Sequence, residues 1–302
     1  MSRSLDRLAG SVPPTTGLAI AVLAVSTSAI LVRWSAAPSI VAAFYRVLFT
    51  TLLLAPVAIW RGRNGFGRLG WRDLAGGALA GMALAVHFAA WFESLAWTSV
   101  AASVTLVQAQ PLFVAAGAPL LLDERVGPRT VAGIVVAVTG MVLMSAADLL
   151  GADVLGPDPT YGNALALVGA LAMAGYVLAG RSIRQRLPLV PYVMVVYAVA
   201  SITLLAFVGL EGAPLAGYPS REWLLFLGMA VGPGVFGHTV INWALAHLES
   251  SVVSASLLGE PVGSTLLALA LLGEVPGLPT VVGGVVVLGG IVLTGRARRR
   301  GG

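Results

Sequence analysis

Ser103–Glu124 reads SVTLVQAQPLFVAAGAPLLLDE, and Ser254–Glu274 reads SASLLGEPVGSTLLALALLGE. Each is an apolar run that carries a proline near its middle and stops at a glutamate. Pro111 and Pro261 stand 150 residues apart, and so do Glu124 and Glu274. The same offset joins Pro38 to Pro188, Leu95-Ala96 to Leu245-Ala246, Gly133 to Gly283 and Gly140 to Gly290. One residue of slip also pairs His87 with His238. Chance supplies any one such match. Six in order along the chain point to an internal duplication.

The chain around these runs has 302 residues, 58% of them hydrophobic and 10% charged. A soluble domain carries about 25% charged residues. So few polar groups cannot cover a soluble surface, and the bilayer is the natural solvent. The net charge of +5 comes from 18 basic residues, all arginine. They fall in short clusters between apolar runs, as in cytoplasmic loops, which argues against a nucleic-acid partner. There is no cysteine, so disulfides, thiolate catalysis and zinc–thiolate sites are excluded.

A spanning helix takes about 20 mostly apolar residues. The candidates are residues 16–34, 38–60, 74–96, 99–121, 130–147, 160–180, 189–210, 223–245, 250–272 and 279–295. Gly17–Val32, preceded by Arg3 and Arg7, has the look of a signal peptide. Arg33, Trp34 and Pro38 spoil its cleavage site, so it reads as the first membrane helix. With the N-terminus in the cytoplasm, every arginine lies on the inner side except Arg33 and Arg221 outside and Arg46 within a helix. That bias predicts two cytoplasmic termini. Five helices in each half is an odd number, so the halves, 1–150 and 151–302, are expected to be inverted relative to each other. The predicted fold is an all-α membrane protein, ten transmembrane helices in two inverted five-helix repeats around a central cavity, an architecture common among secondary transporters.

The segments Ser94–Ser145 and Ala244–Gly295 each read as a helix, a mid-helix proline, an apolar run ending in glutamate and a glycine-spaced last helix. They resemble the two EamA repeats of the drug/metabolite transporter superfamily. The resemblance covers nearly the whole chain; the first repeat has Asp123 where the second has Gly273, a minor departure in a loop. It implies a cavity lined by helices 1–4 and 6–9, with 5 and 10 peripheral. It also implies efflux of amino acids or other metabolites across a bacterial inner (plasma) membrane.

Polar groups inside a membrane are costly and mark solute or ion pathways. Pro111 and Pro261 break the backbone ladder at equivalent points and suit a gate, or a simple packing kink. Glu260, beside Pro261, is a candidate proton carrier or amine contact; the alternative is an ion pair with Arg46. Gln110 holds the equivalent place beside Pro111. Arg46 itself suits a carboxylate, or snorkels to the outer surface. His87 and Trp91 share one helix face, and His238 with Asn242 repeats that spacing. The histidines suit proton coupling or plain hydrogen-bonded packing. Gln108 adds a polar face to the fourth helix, and Tyr176 and Trp243 supply aromatic walls or interface anchors. Neither histidine has a partner at metal-ligand spacing, so no metal is expected.

No phosphate-binding glycine loop, metalloprotease motif or serine-hydrolase elbow is present. The chain therefore reads as a secondary transporter with no cofactor and no enzymatic role. Its expected partners are a small-molecule substrate, the lipid bilayer and protons, as a monomer or homodimer. A membrane enzyme acting on a lipid-linked group, which needs clustered catalytic residues at one interface, and a scaffold with no polar cavity are the alternatives.

Overall fold

The computed structural model describes residues 13–61, 66–67, 69–98, 103, 106–144, 157–272 and 277–298, and every regular element among them is a helix. In order these are α1 (Pro14–Trp34), α2 (Ser39–Arg61), α3 (Trp71–Trp97), α4 (Gln110–Leu121), α5 (Pro128–Met144), α6 (Pro159–Arg184), α7 (Leu189–Glu211), α8 (Ser220–Ala244), α9 (Ser250–Leu257), α10 (Glu260–Leu272) and α11 (Leu278–Arg298). Seven spans among the described residues are long and apolar enough to cross a bilayer: α1, α2, α3, α6, α7, α8 and Ser250–Leu271. Gln110–Leu121, Pro128–Leu143 and Val281–Thr294 are shorter apolar helices. Large apolar side chains turn outward, Leu120 and Leu210 to 83% exposure, as lipid contact requires. The chain is a multi-pass membrane protein.

Local chemistry sets the helix ends. Asp158 caps α6 by accepting a hydrogen bond from Tyr161 N at 3.0 Å, and Pro159 fills the first helical position where a missing N–H costs nothing. Arg181 and Arg184 sit in the last turn of α6, where the helix dipole favours cations. Gly212, at φ 65°, ends α7 in the left-handed conformation.

Three segments depart from the continuous helices that the sequence suggests. The fourth turns at Gln108–Ala109 before α4 begins, and the ninth turns at Leu258–Gly259 before α10 begins. The prolines therefore do not kink the middle of a helix. Each stands second in a new one, Pro111 in α4 and Pro261 in α10, where no intrahelical donor is missed. The third departure is α8, which widens to a π-helix over Ala230–Thr239. Pro233 lacks an N–H there, and Gly232, Gly234 and Gly237 relax the backbone, conditions under which the wider turn appears and often marks a functional stretch.

Glycines allow the closest helix contact. A Cβ on Gly133 would lie 2.9 Å from Gly290 O, and one on Gly140 would lie 2.8 Å from Gly283 O. α5 and α11 thus run antiparallel in van der Waals contact through backbone, the geometry that small residues permit in membranes. One end of the bundle gathers Arg72, Arg125, Arg129, Arg181, Arg184 and Arg186; it is called the arginine-rich end below.

Candidate functional site

α2 carries Arg46 into the middle of the bundle, where its side chain is 2% exposed. Its Nη1 donates to Ser28 Oγ at 3.0 Å, and its guanidinium lies 4.3 Å from the centre of the Phe88 ring. Cation–π contact and one hydroxyl stabilise the charge only in part. Glu260, first residue of α10, faces the same space, and its Oε2 accepts from Gln108 Nε2 at 3.1 Å. No ion pair joins Arg46 to Glu260 among the described residues, so the expected alternative for these two groups is not what the fold forms. Both line one cavity, outside ion-pair distance but near enough for their charges to interact.

That cavity holds about 40 Å³ of space reachable by the centre of a water-sized sphere. A few waters fit, and a solute of amino-acid size does not until the helices part. Val25 and Ser28 from α1, Met173 from α6, Ile241 from α8 and Leu257 from α9 form much of its wall. α5 and α11 give it no residue. The two helix breaks meet here: Gln108 of the first donates to Glu260 of the second. Gln110 is engaged beside it, donating to Ser254 O at 3.3 Å and accepting from Ser254 Oγ at 2.9 Å.

His87 and Trp91 both line the cavity from α3. His87 Nδ1 lies 2.9 Å from Gly169 O, which fixes that nitrogen as a donor, and its ring stacks on Trp91 at 5.9 Å. His238 lines the cavity from α8, with its Nδ1 unpartnered, and Trp91 Nε1 is unpartnered too. Buried polar atoms are normally satisfied, so two orphans on one cavity wall fit a site that a solute or water completes. Asn242 and Tyr176 lie below the cavity instead, bonded to each other through Asn242 Nδ2 and Tyr176 Oη. Trp243 is not brought to the site. Its ring packs on Gly17 and lies 4.8 Å from that of His247. Phe88, Met173 and Leu257 carry no signal in the sequence, because an apolar residue lining a cavity reads like one facing lipid.

Polar ties hold both ends of the bundle. At the arginine-rich end Glu124 Oε1 accepts from Arg181 Nε at 2.5 Å, while its Oε2 accepts from Ser250 N and Oγ at 3.1 and 2.6 Å. Arg186 Nη2 meets Asp73 Oδ1 at 3.0 Å. At the other end Glu222 accepts from Ser35 Oγ at 2.6 Å and Ala36 N at 3.0 Å. Glu274, the repeat mate of Glu124, lies outside the described residues. No group of three metal-ligating side chains occurs among the described residues.

Comparison with known proteins places the chain among transporters. An "Uncharacterized transporter" of Archaeoglobus fulgidus is 26% identical over 255 residues, covering 83% of this chain and 86% of its own. A "Probable terminal-alkyne amino-acid exporter" of Streptantibioticus cattleyicolor is 29% identical over 266 residues, covering 83% and 84%. A crystal structure matches with a TM-score of 0.77 over 96% of this chain and 99% of its own, at 22% identity, a likeness of fold alone. The profile of the EamA-like transporter family matches residues 15–146 and again 160–296. Matched twice in tandem over nearly its whole length, this protein belongs to the EamA-like transporter family.

Proposed function

We propose that this protein is a secondary transporter that exports small organic metabolites, amino acids or amphipathic drug-like solutes, by alternating access. The observation that carries this reading is the cavity at which two helix breaks, 150 residues apart, meet, and which Glu260 of the second break and Arg46 of α2 both line without forming an ion pair. Arg46 supplies the contact for a solute carboxylate, and Glu260 the contact for its amine or the proton exchanged for it. His87, Trp91, Gln108, Gln110 and His238 complete the site. Pro111 and Pro261 start the half-helices that shift when it opens.

In this reading residues 1–150 and 151–302 are two inverted halves of five helices each. Support comes from the antiparallel α5–α11 contact, in which Gly133 meets Gly290 and Gly140 meets Gly283. Each half thus offers the same two glycines to the other. The arginine-rich end is cytoplasmic by the charge rule, with both termini on that side of a bacterial inner membrane. The Streptantibioticus relative, named as an amino-acid exporter, supports the solute class and direction.

The test is flux in proteoliposomes against a panel of amino acids and amphipathic drugs, with pH gradients of either sign. Saturable flux of at least one solute is expected. Well-folded protein that carries none of them sinks the proposal.

A further inference from the structure

Between the cavity and the arginine-rich end, the seam of α8 against α6 and α7 is closed largely by polar contacts. Thr239 and Tyr197 share a hydrogen bond of 3.1 Å. Asn242 Nδ2 donates to Tyr176 Oη. Arg184 Nε donates to Asn242 O at 3.0 Å, and Arg181 Nη1 to Leu245 O at 3.0 Å. All four bonds cross the same seam, from α6 or α7 to α8 or the turn after it. The groups are deeply buried: Tyr176 and Asn242 at 0% exposure, Tyr192 at 1%, Tyr197 at 2% and Arg184 at 7%.

This seam is poorly satisfied. Tyr192 Oη and Asn242 Oδ1 have no partner. Both lie against Gly180, where a Cβ would lie 3.2 Å from Tyr192 Oη and 3.4 Å from Asn242 Oδ1, with Leu245 Cδ1 nearer still at 2.9 Å. Arg184 closes the far end. It bonds only backbone carbonyls, those of Asn242 and Leu187, and forms no ion pair with a described residue. Arg46, at the cavity, likewise forms no ion pair with a described residue, though it bonds the Ser28 hydroxyl and shares the cavity with Glu260. Two buried, unpaired guanidiniums with phenol hydroxyls between them make a route that favours an anion and disfavours a free cation.

The fold does not require this chemistry. The positions 150 residues before Tyr176, Tyr192, Tyr197 and Arg184 hold Ser26, Ala42, Val47 and Trp34. The position 150 residues after Arg46 holds Val196. None of these groups has a copy in the other half: Arg46 belongs to the first, and Tyr176, Arg184, Tyr192 and Tyr197, which lead to one end, belong to the second.

We infer that the solute carries a carboxylate and is loaded from the arginine-rich end, meeting Arg184 and the Tyr192 hydroxyl first and Arg46 second. Parting α8 from α6 and α7 breaks the four seam bonds and bares these donors as a path to the cavity. The inference rests on the transport reading and adds to it the route by which the carboxylate reaches Arg46 and the residues, Arg184 and Tyr192, that receive it first.

The test takes the amino acid that the wild-type protein carries fastest, together with its amide, in vesicles of each orientation. The acid is expected to be carried in preference to the amide. R184Q should raise KM for the acid about tenfold when it is supplied at the arginine-rich end, the loss of one charge-assisted bond, and change it less than about twofold from the other end. R184K should recover part of the loss, and Y192F should raise the same one-sided KM by about threefold. Equal transport of acid and amide, carriage of drugs but no amino acid, or a KM change equal from both ends overturns the inference and leaves the transport reading standing. No flux of any solute removes the transport reading itself. If R184Q does not fold, Y192F read from the two ends decides alone.

Discussion

α5 packs on α11 through glycines that each half supplies in the same register, whereas the linings of the cavity and its seam differ between the halves at almost every matched position. Gly133, Gly140, Gly283 and Gly290 are interchangeable by the 150-residue offset, and so are the turns at Gln108–Ala109 and Leu258–Gly259. Arg46 against Val196, Glu260 against Gln110 and Tyr197 against Val47 are not. The ties at the two ends differ as well: Ala36 meets Glu222 through its backbone, whereas its match Arg186 meets Asp73 through its charge. Backbone packing has to be satisfied alike in both halves, because close contact depends on shape. Solute chemistry needs only one copy of each group.

Three paired expectations test that division, the first with the greatest effect. G290L should abolish the folded state, since even a Cβ there would lie 2.4 Å from Ala137 N and 2.6 Å from Gly133 O, both backbone atoms that cannot yield. The cost is expected to exceed about 4 kcal/mol, read as loss of a monodisperse peak in detergent. The neighbouring G289A meets nothing within 4 Å and should shift the melting temperature by less than about 2 °C. An equal loss from both would break the comparison on its symmetric side.

Next, E260Q should lower flux by about tenfold or more and flatten its pH dependence, with melting unchanged. Moving the charge to the matched position, in Q110E/E260Q, should not restore flux, because Gln110 is committed to Ser254. Recovery in the double variant would mean that the halves are interchangeable in chemistry as well as in shape.

A smaller effect is expected at the ends. E124Q removes the charge behind three hydrogen bonds and should destabilise by about 1–3 kcal/mol, measured as a lower melting temperature. D73N should cost less than about 1 kcal/mol, because its partner Arg186 is 57% exposed and water screens the pair. The reverse order would show that the outer rim, rather than the half-buried tie, holds the arginine-rich end shut.

Some of this was legible without coordinates. Glu260, Arg46, His87, His238 and Gln108 stood out because an ionisable or amide group in an apolar run is conspicuous, and all five line the cavity. Trp243 was legible as an aromatic wall and packs on Gly17 instead. Tyr176 and Asn242 were legible as polar and fall on the seam below. Helix periodicity gives the face a residue shares with its neighbours in sequence, but it does not say which other helix that face meets.

The sequence by itself determined that the chain is a membrane protein, that it is duplicated and which family it resembles. These follow from apolar length, charge bias and a fixed offset, all of which are properties of the linear chain. Only the tertiary structure decided that the prolines begin helices rather than kink them, that the eighth span widens at Pro233, and that Arg46 and Glu260 face one space unpaired. Those outcomes depend on which backbone groups find partners and which side chains from distant helices arrive at the same depth, and no spacing along a single chain encodes either.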